Sequence, residues 1–120
     1  GGVMPLEAEY VKEVEKLCKA NDIIFIADEV QTGVGRTGEL FAFQSYDIKP
    51  DVVSCAKGIG GGLPLGCVMF GEKTKDVLTS GTHGSTFGGN PVVCAGAVNI
   101  LSRLTYGFLE DVKRKSKYIS

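Results

Sequence analysis

The sequence predicts an α/β domain: a mostly parallel sheet with one antiparallel strand, flanked by helices. Three observations predict it. An amphipathic segment after Pro5 is followed by two apolar runs, Ile23-Ile24-Phe25-Ile26-Ala27 and Asp51-Val52-Val53-Ser54-Cys55-Ala56, each of which ends in charged residues. A third run, Cys67-Val68-Met69-Phe70, follows its predecessor too closely for a helical crossover and is expected to lie antiparallel to it.

Pro5 suits the first turn of a helix. Beyond it, Leu6, Tyr10, Val14, Leu17 and Cys18 recur three and four residues apart, which predicts one buried stripe. Glu9, Lys12, Glu13, Glu15, Lys16 and Lys19 fill the other faces with opposite charges at helical spacing, and Asn21 suits the C-terminal stop. The run from Ile23 reads as a strand buried on both faces, as parallel strands are, ending in Asp28-Glu29. A glycine-punctuated loop is expected from Thr32 to about Leu40, then one short helix near Phe43 to Tyr46. The second strand ends at Lys57, and Gly58 to Gly62 reads as a loop. Asn90-Pro91 caps and opens a helix to about Leu104, apolar on most faces and so expected to be buried. Phe108 to Lys113 resembles the start of one more amphipathic helix.

The 120 residues amount to one domain at most, and the chain reads as a piece of a larger one. A hydrophobic share of 43% and a net charge of −1 fit a globular protein without a general attraction to nucleic acid or anionic membrane. No apolar stretch approaches the ~20 residues of a membrane span. Gly1-Gly2-Val3 lacks an initiator Met and a basic region, so no signal peptide is expected. Cys18, Cys55, Cys67 and Cys94 form no CxxC pair and read as buried reduced thiols in a cytoplasmic protein. The basic run Lys113, Arg114, Lys115 and Lys117 reads as a solvated helix face. Seventeen glycines are about twice the usual ~7% share, and they cluster from Gly33 to Gly96, where the backbone must turn tightly or approach a ligand.

Two motifs fail on their context. Gly33-Val34-Gly35-Arg36-Thr37-Gly38 matches G-x-G-x-x-G, but Pro50 leaves no room for the long helix that a dinucleotide fingerprint must open. Gly66 to Thr74 approximates a P-loop with Glu72 in place of its lysine, and a carboxylate there would repel phosphate. His83, the single histidine, reads as a loop or interface residue.

The remaining constellation is an acid at the end of one strand and a lysine at the end of the next. Strand ends are where α/β sheets bind ligands. A lysine there can condense with an aldehyde, and an aspartate can hold a protonated pyridine nitrogen, the two protein groups that pyridoxal-phosphate chemistry requires. The bland alternative, a turn-capping Asp28 and a surface Lys57, stays open on these residues alone.

Asp28-Glu29-Val30-Gln31-Thr32-Gly33-x-Gly35-Arg36-Thr37-Gly38 resembles the segment ending the aspartate strand of class III, ornithine-type aminotransferases. Pro50-Asp51-Val52, leading to Ala56-Lys57-Gly58-x-Gly60-Gly61-Gly62-x-Pro64-x-Gly66, resembles their lysine segment. Gly81-Thr82-His83-Gly84-Ser85-Thr86-Phe87-Gly88-Gly89-Asn90-Pro91 resembles their third hallmark, most of all that of acetylornithine aminotransferases.

The resemblance implies part of the large domain of a fold-type I pyridoxal-phosphate transferase, with residues 1–120 as its central part and the N-terminal part and C-terminal small domain missing. It implies that Asp28 binds the pyridine nitrogen, Val30 packs on the ring, Gln31 reaches the phenolic oxygen and Lys57 is the catalytic lysine that carries pyridoxal 5'-phosphate. Thr86 would bind the phosphate held in the partner subunit of a homodimer, and Ser85 would approach the substrate. The implied reaction moves the terminal amino group of acetylornithine, or of ornithine or 4-aminobutyrate, to 2-oxoglutarate in amino-acid biosynthesis. The ring-stacking aromatic and the arginine for the substrate carboxylate lie outside the chain, so these residues alone are expected not to be a working transaminase. A non-catalytic binding domain of the same fold is the alternative of another class, and the intact Asp28 and Lys57 count against it.

Overall fold

The computed structural model describes residues 3–119; Gly1 and Gly2 of the opening tripeptide and Ser120 lie outside them. In chain order the elements are α1 (Ala8–Ala20), β1 (Ile26–Asp28), a 3-10 turn (Ala42–Tyr46), β2 (Val52–Cys55), a second 3-10 turn (Lys57–Gly60), β3 (Cys67–Phe70), α2 (Pro91–Arg103) and α3 (Tyr106–Ile119). The sheet order is β1-β2-β3. β1 runs parallel to β2, with Asp28 opposite Ser54. β3 runs antiparallel to β2, with Cys55 opposite Cys67, as the short connection between the two runs requires.

The predicted elements are all present, with shifted bounds. α1 begins at Ala8 behind Glu7, so Pro5 lies ahead of the helix and not in its first turn. Its buried residue is Val11, while Leu6, Tyr10 and Leu17 of the expected stripe are exposed. Glu15 explains the rotation. Its carboxylate is held by Lys19 Nζ at 2.9 Å and by the Lys49 backbone N–H at 2.7 Å, which turns the Val11–Glu15 side of the helix inward.

β1 is three residues long, and Ile26 is 59% exposed. The expectation of a strand buried on both faces fails: among the described residues β1 pairs with β2 alone, and Ile26 lines an open cleft. The residues before it are held differently: Phe25 N–H donates to Asp51 Oδ2 at 2.9 Å, and its carbonyl accepts from Asp51 and Val52. That clamp sets the register that places Asp28 level with Ser54.

The core forms where the second turn meets α2: Cys55, Ile59 and Ala97 are buried together, with Val34, Phe41, Leu65 and Cys67 packed around them. Gly61, at φ +58°, lets the helix approach, since a Cβ there would stand 2.9 Å from the Ile100 side chain. The stretch after Lys57, expected as loop, is thus a packed 3-10 turn. α2 starts as predicted, with Asn90 Oδ1 accepting from the N–H groups of Val92 and Val93. It is not a buried helix: Ala97 lies against the turn, but Val92 and Val98 on other faces are 70% and 68% exposed.

The four cysteines are free, but only Cys55 is buried and the other three are half-buried. Lys113 also departs from the expected solvated face. It reaches Glu39 at 2.7 Å and Glu110 at 2.9 Å, tying α3 to the glycine loop. Arg114 and Lys115 pair with Asp111 along the exposed side of α3. No single helix among the described residues is long and apolar enough to cross a membrane.

Candidate functional site

Asp28 is the last residue of β1 and is exposed at the carboxyl end of the sheet. Its Oδ1 accepts from the Val30 backbone N–H at 3.0 Å and faces Ser54 Oγ at 3.4 Å. The first of these closes a local turn of the kind aspartate favours, and it projects Val30 and Gln31 back across the strand end. Oδ2 makes no hydrogen bond among the described residues, so one carboxylate oxygen is fixed and the other is free to accept.

Lys57 follows β2 after the single residue Ala56. It has φ +49°, a left-handed conformation uncommon outside glycine that is worth explaining at a strand end. The turn it opens is closed by the Ile59 N–H to Ala56 carbonyl bond at 3.3 Å and the Gly61 N–H to Gly58 carbonyl bond at 3.2 Å. Lys57 Nζ donates to Gln31 Oε1. Gln31 therefore links the acid strand to the lysine strand, and the side chains of both stand open to solvent.

The donor set fits a pyridine-aldehyde cofactor. An unpaired carboxylate oxygen offers an acceptor for a ring N–H, and a primary amine stands beside an amide on the neighbouring strand end. A cleft of about 620 Å³ runs along β1 and is lined by Met4, Leu6, Phe25, Asp28 and Gln31 among others, but not by Lys57. The acid and the lysine thus share an open strand edge and not an enclosed cavity.

Glu29 is the residue that sequence reasoning passed over. It is 3% exposed, and its carboxylate accepts from Thr32 Oγ1 at 2.6 Å and from the Phe43 N–H at 2.8 Å. Its backbone N–H donates to the Ser54 carbonyl at 2.8 Å, and its carbonyl accepts from Gly33 at 2.9 Å. Gly33 is required there, since a Cβ would stand 2.7 Å from that carbonyl oxygen. Glu29 thereby pins both ends of the 30–43 loop that carries Val30 and Gln31. The signal available was a charged residue continuing an apolar run with a hydroxyl three residues on. The Gly33 to Gly38 stretch itself is a series of turns, unlike a dinucleotide fingerprint.

Ser85 and Thr86 are exposed, in a loop that precedes α2. Ser85 Oγ accepts from the Gly88 N–H at 2.9 Å, and among the described residues neither side chain hydrogen-bonds to Asp28, Val30, Gln31 or Lys57. The structure brings four of the six predicted residues together at the strand ends and leaves these two apart.

Residues 1–120 match the family model described as Aminotransferase class-III. The chain is 50% identical over 117 residues to the acetylornithine aminotransferase of Haemophilus ducreyi, covering 98% of this chain and 30% of that protein. Among solved structures, it superposes on the N-acetylornithine aminotransferase of Stenotrophomonas maltophilia with a TM-score of 0.86 and 39% identity, over 98% of this chain and 30% of that one. The ornithine aminotransferase of Toxoplasma gondii gives a TM-score of 0.80 at 41% identity, over 93% of this chain and 26% of that one. The chain thus spans about a third or less of the proteins it matches. Class III aminotransferases are pyridoxal-phosphate enzymes.

Proposed function

Because the chain belongs to the aminotransferase class-III family, we propose that it is the central part of the cofactor-binding large domain of an ornithine-type transaminase. The observation that carries this reading is the pair Asp28 and Lys57 at the ends of adjacent parallel strands, joined through Gln31. The whole enzyme would move the terminal amino group of N-acetylornithine, or a related ω-amino acid, to 2-oxoglutarate. The products would be glutamate and a semialdehyde, a step that fits arginine biosynthesis. The 50% identity to a protein named acetylornithine aminotransferase supports the choice of donor.

Pyridoxal 5'-phosphate, when bound, supplies the electron sink for this chemistry. Asp28 would offer its free oxygen to the pyridine N–H and keep the ring nitrogen protonated. Val30, half-buried beside it, would pack on the ring face. Gln31 would turn its amide from Lys57 toward the phenolic oxygen. Lys57 would hold the cofactor through its amine and, once released by substrate, move the proton at the substrate Cα. Thr86 would reach the phosphate in the partner subunit of a homodimer, and its exposure suits a role across an interface. Ser85 would lie near the substrate. Four free cysteines suit the reducing cytoplasm. The isolated 120 residues would not turn over, since the groups for the substrate carboxylate and for ring stacking are not among them.

The test is to add pyridoxal phosphate to the full-length protein, record the visible spectrum, reduce with borohydride and map the modified lysine by peptide mass. Selective labelling of Lys57 is expected, and labelling scattered over surface lysines would refute the assignment. Amino donors compared in the same preparation test the substrate, and a clear preference for 4-aminobutyrate would overturn the acetylornithine reading.

A further inference from the structure

We propose that Cys55 and Cys67 form a reversible dithiol–disulfide site that ties β2 to β3 just ahead of Lys57. The inference does not depend on the cofactor reading. The two residues are register partners at the end of the antiparallel ladder, and their sulfurs lie 3.0 Å apart. Directly opposed residues in such a pair have Cα atoms about 4.5–5.5 Å apart, inside the roughly 4.4–6.8 Å that a disulfide spans. The bridge therefore needs no rearrangement of the strands. Among the described residues, Cys18 on α1 and Cys94 on α2 have no sulfur partner of this kind.

The two thiols differ in a way that orders the reaction. Cys55 is 2% exposed and packs with Ile59 and Ala97. Burial, and then the neighbouring Cys67 thiol, push its pKa up to about 12, so it stays protonated at neutral pH. Cys67 packs against that cluster but is only half-buried, so it is the more accessible of the two residues to a small oxidant. With a hydroperoxide as oxidant, the Cys67 thiolate attacks the terminal peroxide oxygen. An S–O bond forms, the O–O bond breaks, and the leaving oxygen takes up a proton as water or alcohol. Cys55 sulfur then displaces the hydroxyl from Cys67. The S–S bond forms as the S–O bond breaks, and the hydroxide leaves as water with the Cys55 proton. Two thiols lose two electrons and the peroxide gains them. A small-molecule dithiol reverses the change by exchange.

The experiment treats the full-length protein with equimolar hydrogen peroxide, alkylates residual thiols under denaturing conditions and maps peptides without reduction. Loss of both free thiols is expected, with the Cys55 and Cys67 peptides joined and separated again by dithiothreitol. The Cys18→Ser variant should give the same product and the Cys67→Ser variant should lose it. Cys67 driven to sulfinic acid with Cys55 still alkylatable would overturn the proposal, as would cross-links to Cys18 or Cys94 or no reaction at either position. Should Cys67→Ser fail to fold, the wild-type peptide map decides alone.

Discussion

Asp28 and Ser54 stand level across the parallel pair β1–β2, with Ser54 Oγ 3.4 Å from Asp28 Oδ1. The Val30 N–H holds the same oxygen at 3.0 Å, so both contacts orient the carboxylate from one side and leave Oδ2 to meet a ligand. A hydrogen bond to a charged group contributes about 1.5–3 kcal/mol, which is roughly 10- to 100-fold in affinity. Asp28→Asn in the full-length protein should weaken pyridoxal phosphate retention by about that factor. Ser54→Ala removes only a long contact and should cost a few-fold at most. Equilibrium dialysis of the cofactor against each variant measures both. Equal losses would mean that Ser54, not the Val30 N–H, sets the carboxylate.

Glu29 should act on stability before it acts on chemistry. Removing its carboxylate leaves the Phe43 N–H and the Thr32 hydroxyl without their acceptor in a half-buried setting, at a cost of about 1–3 kcal/mol each way such a group is stranded. Glu29→Ala should lower the urea midpoint with the slope unchanged, and Glu29→Gln, which keeps one carbonyl acceptor, should lower it less. An unchanged midpoint in Glu29→Ala would show that the 30–43 loop is held by its turns alone.

The order and type of the elements were legible because each is marked locally. Asn90-Pro91 announces α2, and the spacing between Cys55 and Cys67 forbids a parallel crossover. Burial was not legible to the same degree. The apolar run from Ile23 looks like an interior strand, yet among the described residues β1 pairs with β2 alone and Ile26 lines an open cleft, because apolar content does not say how many neighbours a strand finds within a given stretch of chain. At the site, Asp28 and Lys57 announce themselves as charges ending apolar runs. Ser54 gives no such sign and Glu29 only that of a second charge beside Asp28, since their importance comes from register and from a contact fourteen residues away in sequence.

The cap on α2 can be tested apart from the site. Asn90 Oδ1 accepts from Val92 N–H at 3.0 Å and Val93 N–H at 3.3 Å. Asn90→Ala should cost about 1 kcal/mol, whereas Asn90→Asp keeps the acceptor and should cost little. Hydrogen exchange at Val92 and Val93 is the direct reading, and faster exchange in Asn90→Ala than in Asn90→Asp is expected.

Glu15, Asp22 and Asp111 are all held below their ordinary values, and salt should separate the first two. Burial raises the pKa of Glu15, but hydrogen bonds from Lys19 and from the Lys49 N–H outweigh it and hold the group below its ordinary 4.5. Asp22, fully exposed, is held below its ordinary 3.8 by a hydrogen bond from Lys73 and then by that residue's charge. A depressed carboxyl pKa contributes stability that is present above the unfolded value and is lost as pH falls through the folded one. The Glu15 contribution should therefore begin to fade as pH drops below about 4.5 and the Asp22 contribution below about 3.8. Salt screens an exposed pair strongly, so added salt should remove the Asp22 part of the slope. The Lys49 N–H is a fixed backbone donor to Glu15, and that part should persist. Urea melts of wild type, Glu15→Gln and Asp22→Asn between pH 3 and 6, about the range over which carboxylates titrate, at low and high salt would show it. The expected pattern is a flatter acid limb for Glu15→Gln at both salt levels and for Asp22→Asn only at low salt.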